Sequence, residues 1–273
     1  MKITFIGGGN MAAALIGGLV ARDVAPTSFV VVEPAALQRE TLRERFGVTT
    51  IASAEPDALQ GTELCVLAVK PQQMRAAIEG LGPALAGALV VSIAAGIRIG
   101  DLSRWLGGHR RIVRAMPNTP ALIGRGITGL FAAEGVPEVD RDLAARTLSA
   151  VGEVVWVDDE PALDAVTAVS GSGPAYVFLM MEVLQQAAHT LGLDERQARA
   201  LVLHTFAGAS ELALRSDEPV ASLRQRVTSK GGTTAAALEV LEASPLQAVF
   251  VDALQAARQR GAQLGEEFGR TGE

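Results

Sequence analysis

Lys2-Ile3-Thr4-Phe5-Ile6-Gly7-Gly8-Gly9-Asn10-Met11-Ala12 runs from an apolar strand through three glycines into the start of a helix. The glycine segment fits G-x-G-x-x-A, a turn shaped to hold a dinucleotide pyrophosphate. Gly7 permits the tight turn, Gly9 lets the pyrophosphate approach the backbone, and Ala12 lets the helix pack closely on the strand. Asn10 and Met11 fall in the first helical turn, where free N–H groups and a partial positive charge face an anion. A glycine motif alone is widespread. Its weight here comes from the strand–turn–helix context.

Outward from that turn, short apolar runs alternate with amphipathic segments. Strands are expected at 2–6, 29–33, 48–51, 64–69, 89–93, 112–115, 127–132 and 154–157, with helices at 10–22, 37–46 and 139–150. Short runs without polar alternation suit strands buried on both faces, as in a parallel sheet covered by helices. The alternation predicts an α/β, doubly wound, Rossmann-like sheet. After Asp158 the valine-rich runs stop and helical periods take over, at 176–191, 195–215, 234–242 and 246–265. We expect two domains, 1–159 for dinucleotide binding and 160–273 all-helical, with a polar tail at 270–273 that frays.

The chain of 273 residues is 49% hydrophobic and 20% charged, a globular composition. A formal charge of −6 gives no basic stripe, so no nucleic-acid partner is expected. The one dense basic cluster, His109, Arg110, Arg111 and Arg114, reads as a solvated strand end, with phosphate contact as the alternative. Cys65 is the only cysteine and sits in an apolar run, a small buried hydrophobe. No metal-ligand cluster, signal peptide or membrane-length apolar run is visible, and a cytoplasmic chain is expected.

Several residues fall where the fold places ligands, beyond the carboxyl ends of the strands. Glu33 ends the second strand, where a carboxylate binds adenosine ribose hydroxyls and repels a 2′-phosphate, which favours NADH. A solvated strand-end carboxylate is the plainer reading, and Arg39 could offset its charge. NADH and NADPH therefore both stay open. Ala68, Val69, Lys70 and Pro71 leave another strand; Lys70 is either a cofactor contact or a surface lysine, and Pro71 suits a helix start. Ala94-Ala95-Gly96 is small enough for a nicotinamide ring to lie on its backbone. Met116-Pro117-Asn118-Thr119-Pro120 is a stiff loop or a plain turn, with Asn118 offering both a donor and an acceptor.

Two loops in the second half open helices. Ser170-Gly171-Ser172-Gly173-Pro174-Ala175-Tyr176 reads as a tight helix-entry loop, with Ser172 as cap and Pro174 in the first turn. Val227-Thr228-Ser229-Lys230-Gly231-Gly232-Thr233-Thr234 carries four hydroxyls where capping needs one. That excess at a helix start suits an anion, carboxylate or phosphate.

With these motifs in order, the chain resembles pyrroline-5-carboxylate reductase over essentially its whole length. The resemblance rests on the glycine turn, on Val69-Lys70-Pro71-Gln72, on the two-proline loop at 116–120, and above all on the segments 168–176 and 228–234. It implies a Rossmann-like domain followed by a helical dimerisation domain, like the C-terminal part of 6-phosphogluconate dehydrogenase. It also implies interwoven dimers that can build larger homo-oligomers, and NADPH- or NADH-dependent reduction of a cyclic imine to L-proline. By position, Ser229, Gly231, Gly232, Thr233 and Thr234 look like the substrate-carboxylate loop, with Thr234 nearest the ring nitrogen. Asn10, Met11, Lys70, Ala94, Gly96 and Asn118 look like cofactor contacts. Lys230 departs from the family, where proline is expected in many members.

Two rivals share the fold. β-Hydroxyacid dehydrogenases place a lysine on the helix after the domain junction, but lysine occurs here only at Lys2, Lys70 and Lys230. His189 and His204 read as structural helix-face residues rather than replacements. A non-catalytic nucleotide-binding regulator would not need the hydroxyl-rich loop at 228–234.

Overall fold

Ile3 and Phe5 project to one face of the first strand and Ile6 to the other, so period-two alternation feeds two separate cores. Leu64 and Val66 against Cys65 and Leu67 repeat the pattern. The structure, a computed structural model, describes residues 1–270; the tail beyond, 271–273, lies outside the described residues. Eight strands form one sheet: β1 (Ile3–Ile6), β2 (Phe29–Val32), β3 (Thr49–Ile51), β4 (Leu64–Leu67), β5 (Leu89–Ser92), β6 (Ile112–Met116), β7 (Gly126–Ala132) and β8 (Gly152–Trp156). Their order is β3-β2-β1-β4-β5-β6-β7-β8. All pairings are parallel except β6 with β7. The chain steps outward from β1 to β3 and returns to β4, which opens a crevice at the carboxyl ends of β1 and β4.

Helices α1 (Asn10–Val20), α2 (Ala36–Phe46), α3 (Pro56–Leu59), α4 (Met74–Ile78), α5 (Ile99–Trp105), α6 (Glu138–Leu148) and α7 (Ala162–Val166) accompany the sheet. Beyond them lie α8 (Gly173–Thr190), α9 (Glu195–Leu214), α10 (Val220–Arg226), α11 (Thr233–Ala243) and α12 (Leu246–Arg270). The chain divides into two compact units: Met1–Ser172 with α12 from Gln255 onward, and Gly173–Leu254. In the second unit α8 packs on α9, and Asp194 and Gln197 form a reciprocal capping box at the start of α9. Among the described residues no single helix is long and apolar enough to cross a membrane; α11 and α12 pass such a test only as a pair bent by 56°.

Three expectations change. The segment before α8 is not a capped entry loop. Thr167–Gly171 forms a π-helical turn, and Ser172 donates its backbone N–H to the Thr167 carbonyl at 2.8 Å. Gly171 in this turn lies against β6, where a Cβ would stand 2.5 Å from the methyl at the movable end of Met116. Nor is the basic cluster a solvated strand end. β6 is an interior strand, so Arg114 is 4% exposed and pairs with Glu160 at 2.8 Å. Arg111 grips both oxygens of Asp140 at 2.7 Å. The third change is a set of short helices, α3, α5, α7 and α10, that the hydrophobic pattern does not announce.

Candidate active site

Gly7 has φ +100°, and a Cβ there would lie 2.7 Å from the Ala68 carbonyl oxygen. Only glycine lets β1 turn this close to the end of β4. Gly7 donates its N–H to Val32 at 2.8 Å and Ala68 donates to Ile6 at 2.8 Å, so the turn is tied to both neighbouring strands. Gly9 caps α1 without a side chain, and a Cβ on it would meet nothing within 4 Å. Open space before an uncapped helix start fits a pyrophosphate held by the first-turn amides of Asn10, Met11 and Ala12.

Glu33 is tied into this turn. One carboxylate oxygen accepts the Gly8 N–H at 3.0 Å and the other accepts the Ala35 N–H at 2.9 Å. Gln38, which sequence reasoning missed, donates its side-chain amide to the Gly8 carbonyl at 2.6 Å. Its only signal is helical register, which sets it facing the glycine turn. Arg39 donates to the carbonyls of Glu33 and Pro34 and so braces the β2–α2 turn.

Other strand ends supply the remaining cofactor candidates. Lys70 is exposed just before Pro71, which opens a short 3-10 turn. Ala94 and Gly96 are buried beyond β5, and Gly96 has φ +80°. Asn118 uses its amide within the protein: Nδ2 donates to the Ser170 carbonyl at 3.2 Å and Oδ1 accepts the Ile127 N–H at 3.0 Å. It fixes the loop beyond β6 to β7 and to the π-helical turn.

The candidate substrate loop belongs to the second unit. Gly231 has φ +72°, and Gly232 caps α11 with no side-chain hydrogen bond. Of the four hydroxyls, Thr228 bonds back to the Arg224 carbonyl at 2.7 Å. Ser229 and Thr233 are exposed and Thr234 half-buried at the uncapped helix start, with Lys230 exposed beside them. His189 meets the Leu193 carbonyl at 3.0 Å, a structural contact at the end of α8.

A doubly wound sheet with a glycine turn at its switch point defines a dinucleotide-binding protein. Residues 2–96 match the family described as NADP oxidoreductase coenzyme F420-dependent, and residues 160–264 match pyrroline-5-carboxylate reductase dimerisation. The pyrroline-5-carboxylate reductase of Pseudomonas aeruginosa is 46% identical over 98% of both chains. A pyrroline-5-carboxylate reductase structure from Coxiella burnetii superposes with TM-score 0.92 at 43% identity, over 96% of this chain and 98% of that one. The Plasmodium falciparum enzyme, solved with NADP bound, gives 0.84 at 30% identity, over 97% and 98%. The chain belongs to the pyrroline-5-carboxylate reductase family.

Proposed function

We propose that this chain reduces 1-pyrroline-5-carboxylate to L-proline with NADPH or NADH, the last step of proline biosynthesis. The observation that carries the substrate is the start of α11, where glycine replaces a side-chain cap and hydroxyls cluster. Free N–H groups and the helix dipole bind a carboxylate there, assisted by Ser229, Gly231, Gly232 and Thr233. Thr234 then orients the ring nitrogen through its hydroxyl. A cyclic imine near neutral pH arrives partly protonated, so no strong general acid is required; positioning carries the reaction.

Gly7, Gly9, Asn10, Met11 and Ala12 hold the pyrophosphate in this reading, and Glu33 the adenosine ribose. Ala68, Val69, Lys70, Pro71, Ala94, Gly96 and Asn118 line the nicotinamide end. Bound NAD(P)H supplies the hydride to the imine carbon. Functionally, residues 1–159 bind cofactor and 160–273 bind substrate and a second copy of the chain. The dimerisation match beginning at residue 160 supports that division and a homo-oligomer built from dimers; their interweaving is what the family resemblance implies. A cytoplasmic setting suits a chain whose single cysteine is a buried free thiol.

The test is loss of nicotinamide absorbance when purified protein meets 1-pyrroline-5-carboxylate with NADH or NADPH in parallel. Oxidation with proline as product is expected. Folded protein that binds cofactor but oxidises neither refutes the reading.

A further inference from the structure

Gly261, Gly265 and Gly269 recur every fourth residue on α12 and so share one face of that helix. Each lies against a different part of the sheet unit. A Cβ on Gly261 would reach only 4.0 Å from the Asp164 side chain, which is ordinary contact. A Cβ on Gly269 would meet the Asp101 carboxylate, a movable side chain, at 2.7 Å. Gly265 differs: a Cβ there would stand 2.6 Å from the Gly96 carbonyl oxygen and 3.2 Å from Nε of Arg98. The approach is reciprocal, since a Cβ on Gly96 would stand 3.3 Å from the Gly265 nitrogen. Gly265 is the one buried residue of α12.

The partners of this contact have little freedom to yield. Gly96 already occupies a left-handed conformation, and Arg98 is held to Asp164 at 2.6 Å. The helix is pinned one turn later, where Arg104 donates to the Gly269 carbonyl at 2.9 Å and Phe268 packs on the second core. Ordinary contact begins at 3.4 Å. A methyl group at position 265 therefore displaces the turn beyond β5 by several tenths of an ångström. That turn holds Ala94 and Gly96, the proposed floor for the nicotinamide.

We infer that Gly265 is a positioning residue for hydride transfer, setting the nicotinamide floor through backbone contact with Gly96. The inference rests on the proposed cofactor role of Ala94 and Gly96. Gly265→Ala is the test and Gly261→Ala its control on the same face. Two ligands are titrated: the dinucleotide that wild type oxidises faster, and the matching ADP-ribose fragment without nicotinamide. Gly265→Ala should bind the dinucleotide about tenfold more weakly and raise its KM, because the displaced backbone crowds the nicotinamide, and should lower kcat, because the reacting carbon is misplaced. Its affinity for the fragment, and the KM for the imine, should stay within about twofold, a margin well under one decade of affinity. Gly261→Ala should match wild type throughout.

Unchanged dinucleotide affinity in folded Gly265→Ala overturns the inference, as does an equal loss for both ligands. If that variant does not fold, hydrogen exchange on wild type decides. The dinucleotide, and not the fragment, should slow exchange of amides 261–270; no difference overturns the inference. Wild type that binds dinucleotide but reduces no cyclic imine refutes the proposed function alone.

Discussion

Glu33 accepts two backbone amides, one on each carboxylate oxygen, and each oxygen retains a lone pair for a ribose hydroxyl. The charge is thus fixed beside the glycine turn, and in the proposed binding mode it would oppose a 2′-phosphate. Glu33→Gln removes the charge and leaves one amide without its acceptor. The kcat/KM ratio of NADH to NADPH should fall by about tenfold, and stability by about 1 kcal/mol. Parallel kinetics with both cofactors and a urea melt check the two halves; an unchanged ratio would remove Glu33 from cofactor choice. Thr234 stands differently, because its hydroxyl is assigned to the substrate and not to the fold. Thr234→Ala should lower kcat/KM by about ten- to a thousandfold, the scale of one lost transition-state hydrogen bond, and leave dinucleotide affinity alone. Wild-type turnover would sink that assignment.

At the scale of elements, β6 carries a guanidinium through the interior of a sheet. Burial pushes the Arg114 pKa down and the Glu160 carboxylate beside it opposes that shift. Glu160 also accepts the Ile99 N–H at 2.7 Å, so one carboxylate joins β6, the start of α5 and the segment after β8. Arg114→Met should cost about 3 kcal/mol, since it strands a largely buried charge, and adding Glu160→Gln should recover part of the loss. Urea denaturation of both single variants and the double measures this; additive losses would mean the pair is not coupled. The same strand shows what sequence could reveal. Strands were legible because short apolar runs, rich in Val and Ile and alternating with helical periods, suit strands buried on both faces. The glycine turn was legible because its spacing has a steric cause at Gly7. The pairing of Arg114 was not, because Glu160 joins it across the fold and a charge run normally reads as solvated. The π-helical turn was hidden for a similar reason: Gly171 packs against Met116, a distant residue. Gln38 and Gly265 escaped notice because each acts on a backbone carbonyl far along the chain. The hydroxyl-rich start of α11 could be read because its chemistry is local.

For the molecule as a whole, the helical unit is undercovered. α8 has no buried residue along its length, although Phe178 and Leu179 are large and apolar. Phe178 is 64% exposed on α8, Leu212 70% on α9 and Val240 72% on α11. Large apolar side chains exposed on three helices of one unit are more than the scattered exposure normal for a monomer, and they mark an interface. The match to pyrroline-5-carboxylate reductase dimerisation over 160–264 supports a second copy of the chain as their proposed cover. Light scattering at micromolar concentration should therefore return a dimer or a larger assembly. Phe178→Glu places a charge where the copy would bury it and should shift the protein toward monomer. The glycine turn belongs to the sheet unit, whose two cores are complete within one chain, so that variant should still bind dinucleotide. Imine reduction should fall, because the substrate loop sits in the unit that loses its cover. A monomeric wild type, or a monomeric Phe178→Glu protein with full turnover, would show that the helical unit needs no partner.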